Sequence, residues 1–536
     1  MTTRRTFLGL AAAGVAGAAA AVTALRNGSS RPTGPVADTV SKASAKPRVS
    51  GQRRALPEND LPGDPDWELR SLGGEHEIEG YAGRASVLPG ESFPLFVSTR
   101  ARSFRVTAFR MGWYHGDGAR KVWQSGSIRG HAQGAAGLIP ATRTLAVGWD
   151  PALTVPTDDW PAGAYVLRLD ADSGAQRYVP LIVRSADTSG KVVLRHAIQT
   201  WQAYNTWGGY DLYKGPSGAY SERSLAVSLD RPYDLRGADM FLTYERNAVK
   251  LAESLGLPLA YVADSDIAAD AHLLDGAVAL ISLGHDEYWT PAERATVTAA
   301  RDAGTNLAFL GANAMFRRTR LESASGAATS TGGRSAGDRR LVICYKTDYE
   351  QDPLYGKDNA AVTSDWRGAP DPDPESSLIG TIYEGYPVNA AYVVTSPHSW
   401  VFAGTGVTTG ERFANLVGIE YDRVDPAYPL ERPIEVLSHS PLTCNGVASY
   451  GDSAYYTHGG GAGVFNCGTM RWVEALYGDQ PHGIGGATPA FVRRVTTNIL
   501  RAFAEGPAAA KYPARDNLAS AGEPAGDPNG NSDSLQ

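Results

Sequence analysis

The chain has 536 residues, of which 43% are hydrophobic and 20% are charged, and its formal net charge at pH 7 is −7. This length is enough for two or three domains, and the negative charge argues against nucleic acid or an anionic membrane as a partner. Three cysteines exclude a disulfide scaffold and allow at most one bridge, for which Cys444 and Cys467 are the expected pair.

Residues 1–30 are predicted to be a twin-arginine signal peptide. The run Thr3-Arg4-Arg5-Thr6-Phe7-Leu8 carries the paired arginines, and an apolar stretch rich in Ala and Gly follows as far as Ala24. Because this stretch is short and poor in Leu, export to the cell envelope or the medium is favoured over a stable membrane anchor. Residues 31–58 are expected to form a disordered linker and residues 506–536 a disordered tail, since both are rich in small and polar side chains.

Residues 59–186 are predicted to form a β-sandwich of immunoglobulin-like type. In this region, short segments of alternating apolar and polar side chains are separated by Gly and Pro, and no convincing helix intervenes. The predicted strand segments are Ala85–Gly90, Phe93–Ser98, Phe104–Met111 and Ala164–Leu169.

From residue 187 to 505 the pattern changes to alternating strands and helices, which predicts a mostly parallel sheet with helices on both faces. The predicted strands are Val192–Ala197, Leu259–Ala263, Leu273–Leu283, Asn306–Leu310 and Arg340–Tyr345. The predicted helices are Tyr244–Leu255, Pro291–Ala303 and Pro489–Ala504. Thr290 fits an N-cap, Pro291 the first helical position, and Glu293 a capping box.

Polar side chains follow each predicted strand of this second region. They are Tyr204 after the first strand, Asp264 and Asp266 after the second, His285, Asp286 and Glu287 after the third, Asn313 after the fourth and Lys346 after the fifth. Because the carboxyl ends of parallel strands meet at one edge of a sheet, we expect these side chains to share a crevice. Oxygen-rich groups of this kind favour a hard cation. Each group also has an ordinary alternative, such as capping a helix, closing a turn or packing.

Several motifs occur in the order of a known family. They are Trp201-Gln-Ala-Tyr204-Asn205, Arg231-Pro-Tyr-Asp234, Gly284-His-Asp-Glu-Tyr-Trp289, Gly311-Ala-Asn313 and Cys344-Tyr-Lys346. Over about Gly80 to Ala504 the chain resembles the C-terminal catalytic region of the large (beta) subunit of N,N-dimethylformamidase. This resemblance implies a glutamine-amidotransferase-like α/β fold and an amidohydrolase with one ferric iron held by two tyrosines and a glutamate.

Carried over by position, the resemblance implies specific roles in this chain. The implied metal ligands are Tyr165, Tyr204 and Glu287, with Tyr244 as the alternative to Tyr165. The implied catalytic residues are His285, Asn313, Lys346 and Glu420. The residues themselves leave open manganese or zinc in place of iron, and direct metal binding by His285.

The expected function is hydrolysis of a small amide or a related C–N bond. Two alternatives stay open: an extracellular binding protein without activity, and a metal-dependent hydrolase or lyase acting on carbohydrate or peptide. The expected partner is the small-molecule substrate, and a homo-oligomer or a small partner subunit is open. The segment 324–338, rich in Ser, Gly and Thr, is predicted to be an insertion between Asn313 and Lys346.

Overall fold

The first part of the fold consists of two β-sheets that share one hydrophobic core. Its strands are β1 (Ile78–Ala82), β2 (Ser86–Val87), β3 (Ser92–Thr99), β4 (Ser103–Met111), β5 (Ala119–Gln124), β6 (Ile128–Arg129), β7 (Gly137–Ile139), β8 (Thr144–Ala146), β9 (Pro151–Pro156), β10 (Gly163–Ala171) and β11 (Gln176–Val183). One sheet has the order β1-β3-β9 and the other β2-β11-β10-β4-β5, while β7 and β8 form a hairpin. Leu95 and Val97 of β3 pack with Val106 of β4 and Leu167 of β10 between the sheets.

The computed structural model describes residues 56–323, 340–478 and 482–520, which belong to one unit. The predicted signal peptide, the linker up to residue 55 and the predicted insertion therefore lie outside the described residues. No helix within those ranges is both long enough and apolar enough to cross a membrane.

A seven-stranded central sheet forms the core of the second part. The strands of this part are β12 (Val192–His196), β13 (Ala226–Ser228), β14 (Leu259–Ala263), β15 (Ala279–Ser282), β16 (Tyr288–Trp289), β17 (Asn306–Phe309), β18 (Arg317–Arg318), β19 (Arg320–Glu322), β20 (Leu341–Ile343), β21 (Ile382–Val393), β22 (Arg412–Arg423), β23 (Ile434–Cys444), β24 (Val447–Thr457) and β25 (Gly463–Asn466). The order is β14-β12-β15-β17-β25-β24-β23. Its first five strands are parallel, β24 pairs antiparallel with β25, and β23 pairs antiparallel with β24.

Helices cover both faces of this sheet, as predicted. They are α1 (Ile198–Ala203), α2 (Asp239–Tyr244), α3 (Arg246–Ser254), α4 (Asp264–Ala269), α5 (Pro291–Asp302), α6 (Ser376–Ile379), α7 (Trp472–Ala475) and α8 (Thr488–Ala504). Leu194 of β12 belongs to the same core as α3 and α8. Its neighbour Val193 belongs to a second core with α4 and α5. Successive side chains of a strand point to opposite faces, so β12 is buried on both sides.

Three predicted elements differ from the structure. The strand expected at Arg340–Tyr345 is β20, which pairs antiparallel with β13 and β19 and is not part of the central sheet. The helix expected at Tyr244–Leu255 is divided between α2 and α3. Thr290 caps α5 by accepting a hydrogen bond from the Glu293 amide, but the Glu293 carboxylate binds Arg195 of β12, so no capping box forms.

The chain after α8 packs against the domain instead of leaving it. Ala508 is 2% exposed, and the Asn517 side chain accepts a hydrogen bond from the Val436 amide at 2.7 Å. The boundary between domain and tail therefore lies later than the expected residue 506, and residues 521–536 lie outside the described residues. All three cysteines fall in the described ranges, and each is a buried free thiol, so the expected Cys444–Cys467 bridge is wrong.

Candidate functional site

Four side-chain oxygens from three residues meet at the carboxyl edge of the central sheet. The Tyr204 hydroxyl lies 2.6 Å from Oε2 of Glu287, and the Tyr213 hydroxyl lies 2.6 Å from both Glu287 oxygens. The two hydroxyls are 2.8 Å apart, and the Glu287 residue is 1% exposed. Two phenols and one carboxylate therefore converge on a single point.

The two tyrosines belong to one loop that follows β12 and α1. Tyr204 is the residue at which α1 ends. The chain then returns, and the Leu212 amide donates to the Ala203 carbonyl at 3.0 Å. Asp211 fixes the returning part of the loop, because its carboxylate accepts hydrogen bonds from the amides of Tyr213 (2.6 Å) and Lys214 (2.7 Å). This return places Tyr213 beside Tyr204.

Glu287 is held by backbone contacts on both sides. Its amide donates to the hydroxyl of Thr200 in α1 at 3.2 Å, and its carbonyl accepts from the Arg317 amide at 2.9 Å. The Arg317 Nε also donates to Oε1 of Glu287 at 3.2 Å. The carboxylate thus has a fixed position relative to the helix that ends at Tyr204.

The charges around Glu287 keep it ionised. Burial opposes its ionisation, but Arg317, Lys346 and His285 outweigh this effect and hold its pKa below the usual range. Burial and the neighbouring Glu287 raise the pKa of the Tyr204 and Tyr213 phenols well above their ordinary value. Without a cation the phenols therefore stay protonated and donate to the carboxylate.

His285 lies between two carboxyl groups. Its Nε2 is 3.7 Å from Oε2 of Glu287, and its Nδ1 is 4.0 Å from Oε2 of Glu420 on β22. Burial lowers the pKa of His285, whereas burial and Glu287 raise the pKa of Glu420 well above its ordinary value. The Asn313 side chain, on a residue with φ of 56°, forms a hydrogen bond with Glu420. Contacts therefore link four of the expected groups in a row: Glu287, His285, Glu420 and Asn313.

Lys346 joins the site from the loop after β20. Its ammonium lies 3.2 Å from the centroid of the Tyr213 ring and 5.7 Å from that of Tyr288. Lys346 is 1% exposed, and no hydrogen-bond acceptor contacts its Nζ among the described residues. The Tyr213 ring therefore presents its electron-rich face to Nζ.

Tyr165 lies away from this cluster. Its hydroxyl donates to the Pro161 carbonyl at 2.6 Å, and its ring stacks on Trp160 at 5.1 Å in the sandwich core. The alternative, Tyr244, lies 5.6 Å from the His285 ring, measured between centroids, and has no contact with the Glu287 carboxylate. The structure therefore brings Tyr213, and not Tyr165, to the two other predicted ligands.

Sequence reasoning missed Tyr213 because it follows no predicted strand directly. The available signal was Gly208-Gly209, both with positive φ, between Tyr204 and Tyr213. Paired glycines allow a tight reversal, which returns the chain to the residue it has just left.

A buried ionic network supports the segment that carries Glu287. Arg195 of β12 pairs with Asp286 and with Glu293 of α5, and all three residues are at most 1% exposed. The Ser282 hydroxyl donates to Asp286 at 2.7 Å. The Asp286 side chain therefore points away from the site. The side chains of its two sequence neighbours, His285 and Glu287, point into the site.

The four oxygens fit a hard cation. Their four contacts of 2.6–2.8 Å share only two hydroxyl protons, so at least two contacts have no proton of their own. Two oxygens this close together without a shared proton repel each other. A cation between the oxygens would remove this repulsion, and anionic oxygen ligands suit a hard ion. Among the described residues no group of three or more His, Cys, Asp or Glu side chains is placed to hold a metal, so phenols supply the donors here.

One comparison with known proteins identifies the family of this chain. No protein of curated function matches the chain. A Paenibacillus sp. cycloisomaltooligosaccharide glucanotransferase structure, complexed with cycloisomaltoheptaose, matches with 9% identity over 43% of this chain and 27% of that chain. Its TM-score of 0.15 supports no structural argument. The family model described as "N,N-dimethylformamidase beta subunit-like, C-terminal" matches residues 105–484. The chain therefore belongs to the N,N-dimethylformamidase beta subunit-like family.

Proposed function

We propose that this protein is an exported amidohydrolase that uses one ferric iron to cleave a small amide. The observation that carries the proposal is the convergence of Tyr204, Tyr213 and Glu287 on one point. The family match supports an amide hydrolase that resembles N,N-dimethylformamidase. These three side chains would hold the iron through their oxygens, and Tyr213 takes the place first expected for Tyr165.

When bound, ferric iron supplies Lewis acidity, which favours phenolate over phenol and makes an amide carbonyl electrophilic. The protein's own groups handle the protons. His285 lies 3.7 Å from Glu287 and 4.0 Å from Glu420, so a proton can pass between the imidazole and the Glu420 carboxyl with small movements. Water would add its oxygen to the amide carbon, and its proton would pass through His285 to Glu420. Glu420 would give that proton to the amine as the C–N bond breaks. The Asn313 amide and the Lys346 Nζ would be donors for the oxygen that gains negative charge.

The surroundings favour a small uncharged substrate. Tyr244 lies 5.6 Å from His285, and the rings of Phe316 and Tyr383 lie 5.0 Å apart. Burial is the main cause that raises the pKa of Tyr383, and the nearby carboxylates of Glu420 and Glu287 raise it further. Aromatic rings beside the site would bind the alkyl groups of an amide and disfavour a charged group that has no partner.

We also infer the finer features of the fold and the assembly. The two sheets of residues 59–186 are proposed to be of immunoglobulin-like type, and the parallel sheet to be of glutamine-amidotransferase-like type. The twin-arginine motif supports export. The family name refers to a beta subunit, which is compatible with a partner subunit.

The proposal is tested by metal analysis together with the visible spectrum of the purified protein. Ferric phenolate absorbs visible light, so the wild-type protein is expected to contain about one iron per chain and to be coloured. Tyr204→Phe and Glu287→Ala are expected to lose iron and colour while circular dichroism stays unchanged. Release of amine from small formamides and acetamides measures the activity. A colourless wild-type protein that binds no iron and releases no amine would leave the non-catalytic binding protein as the better description.

A further inference from the structure

The loop from Tyr204 to Tyr213 carries both phenols, and its shape decides whether they meet. Gly208 and Gly209 have φ of 78° and 85°, so the one 3₁₀ turn of the loop, Trp207–Gly209, is irregular and does not define the course of the loop. A ligand set on such a loop needs support from outside, since the binding geometry must be held within a fraction of an ångström.

One anchor is the guanidinium of Arg231, which fills the inside of the loop. Its Nη1 donates to the carbonyls of Trp207 (3.3 Å) and Tyr210 (2.7 Å), and its Nη2 to those of Gln202 (3.1 Å) and Asn205 (3.0 Å). Its Nε donates to the Gln202 side chain at 3.2 Å. Arg231 is 0% exposed, and three of its five N–H groups bond the loop while the other two bond Gln202 of α1, which precedes it.

The second anchor attaches the loop to the β-sandwich. The Trp207 indole N–H donates to Oε2 of Glu79 on β1 at 2.8 Å, and the Trp207 ring meets Trp149 edge to face at 6.2 Å. Glu79 is 9% exposed. A Cβ placed on Gly208 would lie 2.6 Å from Leu145 of β8, so the loop backbone touches the sandwich region closely. The sandwich therefore contacts the loop midway between the two phenols.

We propose that the sandwich and Arg231 together preset the two phenols, and that Glu79, Trp207 and Arg231 are positioning residues of the metal site. This inference rests on the proposed iron site. None of the three side chains contacts the Glu287 carboxylate, so each acts through the loop backbone. The sandwich thus contributes a support for the ligands and no ligand of its own.

The test uses the full-length protein and two measurements on each variant. The first is the affinity for ferric iron, which is measured from the change in visible absorbance. The second is hydrogen–deuterium exchange of the 204–213 peptide in metal-free protein, which does not depend on the proposed function. The variants are Trp207→Phe, Glu79→Ala and Arg231→Lys. The matched control is Trp160→Phe, which removes the same kind of side chain from the sandwich but packs against Trp123 and Tyr165.

Trp207→Phe and Glu79→Ala are expected to weaken iron binding on the order of 10- to 100-fold, as supporting residues around metal sites do. In the same two variants the hydrogen-exchange rate of the loop amides is expected to rise at least about tenfold. Glu79→Gln should restore both values, because its amide oxygen still accepts from the indole. Arg231→Lys should behave like Trp207→Phe, since an ammonium cannot copy the five-donor fork.

The inference is overturned if Trp207→Phe and Glu79→Ala leave iron affinity and loop exchange within twofold of the wild type. It is also overturned if Trp160→Phe has the same effect as Trp207→Phe, because the change would then be a general loss of sandwich packing. Failure of the wild type to bind iron would refute the proposed function. The exchange measurement would still decide whether the anchors hold the loop, so the two failures are distinct.

Discussion

Replacing Tyr213 by Phe tests the ligand set most directly. The change removes one hydroxyl that lies 2.6 Å from both Glu287 oxygens and 2.8 Å from the Tyr204 hydroxyl. Glu287 keeps its contacts with Tyr204 and Arg317, so no buried charge loses all of its partners. A hydrogen bond to a charged group contributes about 1.5 to 3 kcal/mol. We therefore expect metal-free Tyr213→Phe to lose about 1.5 kcal/mol of unfolding free energy, at the lower end of that range.

The effect on iron should be much larger than the effect on stability. Residues that only support a ligand change metal affinity by roughly 10- to 100-fold, so loss of a ligand should exceed about 100-fold. The matched control is Tyr165→Phe, which removes a hydroxyl bonded to the Pro161 carbonyl at 2.6 Å. That control should lose about 1 kcal/mol of unfolding free energy and keep its iron.

The assays are urea unfolding of the metal-free proteins and titration of ferric iron followed in the visible range. Retention of wild-type colour and affinity by Tyr213→Phe, with loss of both in Tyr165→Phe, would refute the assignment of Tyr213. It would mean that the loaded protein rearranges so that the sandwich supplies a ligand.

Three further predictions concern stability. Arg195→Met leaves Asp286 and Glu293 buried without their cation and should lower the unfolding free energy by about 3 to 5 kcal/mol in urea titrations, so a loss below about 1 kcal/mol would contradict the network. Burial raises the pKa of Asp264 to about 7, so its folded form binds a proton more tightly than the unfolded chain and wild-type stability should fall between about pH 4 and pH 7. Asp264→Asn should remove about 2 to 4 kcal/mol of that fall, and identical pH slopes for the two proteins would contradict this reasoning. A reducing agent should leave the melting temperature unchanged, because the three cysteines are free thiols, and a drop on reduction would reveal a disulfide.

The sheet edge was predictable because its signals are local. Hydrophobic runs define β12, β15 and β17, and parallel strands bring the residues after them to one edge whatever the details of packing. The order of strands and polar residues therefore predicted that Tyr204, His285, Glu287 and Asn313 lie at one edge, and the structure places them there. Lys346 was also found, although β20 lies in a different sheet from the one expected, because that small sheet also ends beside the site.

The amino-acid sequence alone determined the alternation of elements, the family and most of the groups at the site. The tertiary structure decided which tyrosine completes the cluster, since Tyr213 reaches Glu287 only through a loop shaped by Arg231 and by the distant Glu79. It also decided that Glu293 binds Arg195 instead of capping its helix. Both outcomes depend on contacts between residues far apart in the chain, where burial of charge outweighs the local preferences that a sequence pattern records.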